Sequence, residues 1–141
     1  MTSSLPSNIT SEYPTKKAPC DSTFRAIEAA LTSAKGCDVT GVVAIACARH
    51  GCYCPNGMVD LQRGEQQKNV DYAFVSSLQS TNVDLRQRVT LLYDIACQYF
   101  IKLRGCIDPM LASGNKDLRA MVIDRAIGLF HVHAHKDQCL F

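Results

Sequence analysis

No stretch of this chain approaches the roughly 18–20 consecutive apolar residues that a helix needs to cross a bilayer, so no membrane span is expected. Residues 1–19, MTSSLPSNITSEYPTKKAP, contain no apolar h-region. A secretory signal is therefore not expected, and the Asn8-Ile9-Thr10 glycosylation sequon carries no weight without one. Like charges never run together, and the formal net charge is only +2. Charge alone thus makes no case for nucleic-acid binding. A phosphate-binding P-loop, a Gly-x-Gly-x-x-Gly fingerprint and a Gly-x-Ser-x-Gly elbow are all missing, and so is the basic–aromatic interleaving of single-strand binders. Nucleotide-binding and serine-hydrolase readings lose their usual support. No internal repeat is found either.

What is present suits one domain. The chain has 141 residues, 47% of them hydrophobic, enough to bury a sizeable core. Its eight cysteines are Cys20, Cys37, Cys47, Cys52, Cys54, Cys97, Cys106 and Cys139. Without a secretory context, and with several of them inside apolar runs, they read as reduced thiols, some buried and some available to metal. An intracellular, non-secreted protein is expected.

The pattern along the chain alternates. Residues 1–19 are rich in Ser, Thr and Pro and read as a flexible, disordered leader; residues 20–141 read as the folded unit. Residues 22–35 carry a helical pattern, with Asp21 as N-cap, Phe24, Ile27 and Leu31 on one face, and Gly36 as the stop. Val39–Cys47 is a nearly continuous β-branched apolar run, the signature of a strand covered on both faces. Arg49–Gly57 has Pro-Asn-Gly turn chemistry, and Met58–Gln62 reads as a short returning strand of a hairpin. A helix is predicted from Glu65 to about Ser80, its buried stripe Val70, Ala73, Phe74, Ser77 and Leu78, with Glu65 favouring the helix dipole. Arg88–Asp94 reads as a strand, Ile95–Leu103 as a helix, Asp108–Asp117 as a helix end and loop, and Ala126–Val132 as a last strand. The fold class is α/β (α+β): a mixed sheet with flanking helices.

Three constellations carry chemistry. The first is Asp94, where the strand pattern of Val89–Tyr93 gives way to helical spacing. Its side chain suits a helix N-cap, the commoner role of an Asp at such a seam, and could instead be a metal-binding carboxylate at the C-terminal end of a strand. Asp60 and Asp71 are the nearby carboxylates, and both read as solvated surface residues. The second is CARHGCYC, with Cys47, His50, Cys52 and Cys54; the Cys-x-x-His spacing lets two side chains reach one ion. The third is HVHAHKDQC. His131, His133 and His135 share one face if extended, and His135 and Cys139 are one turn apart if helical. Cys47, His50, His135 and Cys139 could form a Cys2His2 zinc site, or remain buried thiols and hydrogen-bonded imidazoles. A nucleophilic pair of Cys97 with a nearby His has no local signature to support it.

Four ordered motifs resemble those of the KDZ (Kyakuja–Dileera–Zisupton) transposases, a family abundant in fungal genomes. They are Cys47-Ala48-Arg49-His50-Gly51, then Gly64-Glu65-Gln66 with Asn69-Val70-Asp71-Tyr72-Ala73, then Tyr93-Asp94-Ile95-Ala96-Cys97-Gln98, and last Phe130-His131-Val132 running on to His135 and Cys139. The family's Gly-Glu-Arg is Gly-Glu-Gln here, and its Phe-His-Leu is Phe-His-Val. The resemblance spans about Ala18 to Phe141. It implies an RNase H-like core, DNA (transposon ends) as partner, a nuclear location, and three acids holding two Mg²⁺ or Mn²⁺ ions for phosphodiester cleavage and strand transfer. Asp94 matches the second of those acids. The first belongs on a strand upstream of the hairpin, and residues 1–19 offer no such strand; the last belongs beyond the His/Cys segment. The chain is therefore expected to be a partial core, truncated at both ends and inactive alone. The alternative is a non-catalytic binding or scaffold module held by structural Zn²⁺.

Overall fold

The computed structural model describes residues 36–62 and 64–132. The leader, the helix expected at residues 22–35, and His133, His135 and Cys139 lie outside the described residues. The class is mixed α/β. In chain order the elements are β1 (Gly41–Ala46), β2 (Tyr53–Leu61), α1 (Gln67–Ser80), β3 (Arg88–Leu92), α2 (Ala96–Tyr99), α3 (Leu103–Ser113), β4 (Val122–Ala126) and α4 (Leu129–Val132).

The expected hairpin is present, with a different outline. β1 and β2 pair antiparallel from Gly41↔Leu61 to Ala44↔Met58, and the register then slips so that Ala46 faces Tyr53. Cys54–Gly57 therefore stand opposite the single residue Ile45 as a bulge. The Pro-Asn-Gly chemistry that reads as a loop is spent inside the longer strand, where Asn56 takes a left-handed φ of 56°. Gly57 is dictated by space: a Cβ there would sit 2.3 Å from Ser77 Oγ, 3.1 Å from the Cys54 carbonyl and 3.2 Å from Ile45 Cβ. The Asn56 amide donates to Ser80 Oγ at 2.8 Å and fixes the bulge to the end of α1.

α1 is central, and its predicted stripe is buried. Ser77 satisfies its own hydroxyl on the Ala73 carbonyl at 2.7 Å, and Thr81 closes the helix with its N–H and hydroxyl on the Ser77 carbonyl at 3.0 and 2.8 Å. Two expectations change here. Glu65 precedes the helix rather than lying in its first turn, and Asp71 is buried, 3% exposed, rather than solvated.

β3 and β4 pair in parallel, from Arg88↔Val122 to Leu92↔Ala126. Parallel neighbours need a long crossover, and α2 and α3 supply it. The predicted helix Ile95–Leu103 is thus two helices, broken at residues 100–102, with Ile95, Ala96, Tyr99 and Leu103 buried as the spacing implied. The helix end expected at Asp108 is instead the middle of α3, with Pro109 inside it. An interior proline costs about 3 kcal/mol or more. Ile107 and Leu111, both 0% exposed, contribute roughly 1.5–3 kcal/mol each by burial. Pro109 and Gly105 are exposed, so water can take the carbonyl that the missing N–H leaves.

The last strand also moves. Val122–Ala126 forms β4, while the expected strand Ala126–Val132 gives way to a helical turn, with Phe130 97% exposed. A strand reading VIDRA has too few apolar residues to announce itself; its Asp124 instead pairs with Arg88 of β3 at 2.8 Å. Among the described residues the ladders form two two-stranded sheets, β1–β2 and β3–β4. A shared core joins them: Val70, Phe74, Val75 and Leu78 of α1, Leu91, Tyr99, Leu103, Ile107, Leu111, Leu118 and Met121, with Val43, Ile45, Val89 and Ile123 packed against it. No helix among the described residues is long and apolar enough to cross a membrane.

Candidate functional site

Asp94 lies two residues beyond the C-terminal end of β3. The Tyr93 N–H donates to the Ala126 carbonyl at 3.0 Å, extending the parallel ladder by one step and delivering Asp94 into the turn that starts α2. The carboxylate is half-buried, and its Oδ1 accepts the Ile95 N–H at 3.0 Å. The N-cap position of α2 falls on Ile95, and no side chain caps the helix. Asp94 therefore holds a backbone amide beside the helix start, as the capping reading required in part, but it does not reach the second or third helical amide.

Around it, the Gly64–Ala73 segment is joined side chain to side chain with Tyr93 and with Tyr99, just past the Tyr93–Gln98 motif. The Tyr93 hydroxyl donates to Glu65 Oε1. The Tyr99 hydroxyl donates to Asp71 Oδ1 at 2.6 Å. The two rings meet edge to face, 5.1 Å between centroids and 88° between planes. Burial pushes the Tyr93 hydroxyl well above the usual tyrosine range; the hydrogen bond to Glu65 adds to the shift, and so do the charges of Glu65, Asp94 and Asp71. Three carboxylates thus act on one tyrosine. Their reach is electrostatic: among the described residues no group of three or more His, Cys, Asp or Glu side chains is arranged to hold a metal ion.

Sequence reasoning missed the Glu65 and Asp71 partnerships. One signal was available. Tyr99 shares the buried row of Ile95 and Leu103, and a buried tyrosine hydroxyl needs a partner. Asp71 sits one position from the buried Val70, at the border of the apolar stripe. Asp60, by contrast, is exposed on β2 as expected.

The hairpin tip brings Cys47 and His50 together. The Gly51 and His50 N–H groups donate to the Cys47 carbonyl at 2.8 and 3.2 Å, and the Cys47 N–H donates to the Cys52 carbonyl at 2.8 Å. Within that turn Cys47 Sγ lies 3.3 Å from His50 Nδ1. Backbone N–H groups of His50 and Arg49, followed by the His50 ring, hold the Cys47 thiol below its ordinary range. Burial pushes the Cys54 thiol up, helped by the Cys47 charge. Sulfur and nitrogen ligands at about 2.3 and 2.1 Å on a tetrahedral zinc stand about 3.6 Å apart. The Cys47–His50 spacing fits half of such a site; His135 and Cys139, the other expected ligands, lie outside the described residues. Cys97 is half-buried on α2.

The chain belongs to the Kyakuja-Dileera-Zisupton (KDZ) transposase family, whose model matches residues 3–141. No curated protein and no solved structure matches it.

Proposed function

We propose that this chain is part of the catalytic core of a DNA transposase of the fungal KDZ type, RNase H-like in its sheet, with Asp94 as one carboxylate of the site that cleaves and joins DNA. The observation that carries this reading is the position of Asp94. It follows a strand paired in parallel with β4, half-buried, with one oxygen held by the Ile95 amide. Membership of the family supplies the chemistry, and transposon-end DNA the substrate. When bound, Mg²⁺ or Mn²⁺ would activate the attacking hydroxyl and stabilise the leaving oxygen. Asp94 would hold part of that ion's coordination, while Glu65 and Asp71 are engaged by Tyr93 and Tyr99. One carboxylate does not fix two cations against their repulsion, so further acids must come from chain outside residues 36–132. Action on chromosomal DNA implies a nuclear protein.

The experiment is nicking of supercoiled DNA in Mg²⁺ or Mn²⁺ by this chain, and by the same chain extended with its flanking coding sequence. Nicking is expected only from the extended protein, and not from its Asp94→Asn form. Asparagine keeps the Oδ1 acceptor for the Ile95 N–H, so the fold is expected to survive while the charge is lost. Undiminished nicking by the Asn variant would sink the assignment.

A second reading has its own observation, the 3.3 Å Cys47–His50 contact. It is a zinc-stabilised binding or scaffold module derived from a transposase, without catalysis. One zinc per chain in the purified protein, lost in a Cys47→Ser/Cys139→Ser variant, together with no nicking by the extended protein, is the result that favours it.

A further inference from the structure

Tyr93 immediately precedes Asp94, and three contacts fix where it stands. Its N–H donates to the Ala126 carbonyl at 3.0 Å, which ties its backbone to β4. Its ring packs against the core and meets Tyr99 edge to face. Its hydroxyl donates to Glu65 Oε1. The bond from the Ile95 N–H to Asp94 Oδ1 is different in kind, because it joins adjacent residues. It turns the carboxylate against its own backbone, but it does not place that backbone in the fold. Tyr93 does.

Glu65 is a fixed anchor for that hydroxyl. It lies between β2 and α1, and Gly64 before it takes φ +70°, a left-handed conformation that suits glycine. The Gly64 N–H donates to Thr40 Oγ1 at 2.7 Å. The Thr40 N–H and hydroxyl both donate to the Leu61 carbonyl, at 2.7 and 2.8 Å. The lead-in to α1 is thus clipped to the open end of the hairpin. Asp71, 3% exposed on α1, accepts the Tyr99 hydroxyl at 2.6 Å and backs the second ring of the pair. Glu65 and Asp71 hold the two tyrosines that flank Asp94 in sequence. Neither stands with Asp94 in a ligand set, since no group of three such side chains among the described residues is arranged to hold a metal ion. A carboxylate engaged by a tyrosine hydroxyl acts on its neighbours' orientation.

We infer that Glu65 is a positioning residue of the Asp94 site: through the Tyr93 hydroxyl it holds the β3–α2 turn, and with it the Asp94 carboxylate, in one place. The Asp71–Tyr99 pair is the buttress behind it. The consequence for DNA cleavage rests on the reading of Asp94 given above; the positioning itself does not.

Two substitutions separate a brace from a ligand. Glu65→Ala leaves the Tyr93 hydroxyl without its acceptor, whereas Glu65→Gln supplies an amide oxygen without the charge. Hydrogen exchange of the whole chain, without metal or DNA, reads the positioning. The Ile95 amide, held by Asp94, is expected to exchange at least about tenfold faster in Glu65→Ala and in Tyr93→Phe, with Phe74 and Val75 of α1 still protected. Glu65→Gln should return it to within about twofold of the unaltered chain. An unmoved Ile95 rate in Glu65→Ala and Tyr93→Phe overturns the inference. Equal acceleration throughout α1 overturns it too, because Glu65 would then be a general prop of the fold. In the extended protein, the Mn²⁺ concentration for half-maximal nicking should rise about 10–100-fold in Glu65→Ala, the scale on which groups behind a metal ligand act, and Glu65→Gln should recover it. Gln as damaging as Ala would mean that the Glu65 charge itself is used, which makes Glu65 a ligand and overturns the positioning role. Undiminished nicking by Asp94→Asn sinks the Asp94 reading alone, and Ile95 exchange still decides the brace.

Discussion

Tyr99 and Asp71 are 28 positions apart, and a 2.6 Å hydrogen bond between them joins α2 to α1 in the core. Asp71 is 3% exposed, and a carboxylate so deeply buried is tolerated only with hydrogen-bonded partners. Tyr99→Phe removes the donor and keeps the ring. The expected loss is about 1–3 kcal/mol in urea unfolding. In a double-mutant cycle with Asp71→Ala, which removes the acceptor, the two changes should be non-additive by at least about 0.5 kcal/mol; additive changes would mean that the contact contributes nothing.

Tyr93 should make stability fall at alkaline pH. Its folded-state pKa is raised, first by burial and then by Glu65. Below the ordinary tyrosine pKa of about 10, the group is neutral in both states and its contribution is fully present. Above about 10 the unfolded chain gives up the proton that the folded chain keeps, so stability declines with further rise in pH. Urea midpoints measured through that range should fall less steeply for Tyr93→Phe than for the unaltered protein. Glu65→Gln should lower the Tyr93 pKa in an absorbance titration.

At the hairpin tip the order of thiol reactivity follows from the two opposite shifts. Cys47, held low by the His50 and Arg49 amides and the His50 ring, should be alkylated before Cys54, which burial holds high. Mapping the adducts by mass spectrometry at neutral pH checks the order. His50→Ala should slow Cys47 and leave Cys54 slow. Faster labelling of Cys54 would contradict the geometry of the turn.

Gly57→Ala should destabilise the hairpin by about 1–3 kcal/mol, since a close-packed site that gains a methyl group must shift. The Ser77 hydroxyl can rotate away from the new Cβ, but the Cys54 carbonyl at 3.1 Å is backbone of the bulge itself. Thermal unfolding measures the loss, and a companion Ser77→Ala should recover only part of it.

Local pattern made much of this protein legible. The hairpin, the α1 stripe, the strand before Asp94 and the buried row Ile95–Tyr99–Leu103 follow from periods of 2 and 3.6, because side chains on one face must be apolar together. The errors share a cause as well. Pro55-Asn56-Gly57 serves equally in a turn or a bulge. Pro109 sits mid-helix between Ile107 and Leu111, whose burial is of the same order as the cost of the lost bond. β4 carries Asp124 and Arg125, which hide its alternation. In each case a distant neighbour outweighed a local preference.

The candidate site divides along the same line. Sequence alone determined the order of the four motifs, the seam at which Asp94 stands and the Cys-x-x-His spacing that sets Cys47 beside His50. Those are short-range properties, settled within a turn or a strand end. Only the tertiary structure decided that Glu65 belongs to Tyr93 and Asp71 to Tyr99, and that β4 lies along β3. These partners meet across 28 or more positions, and burial, which no local pattern encodes, selects which polar groups must find each other.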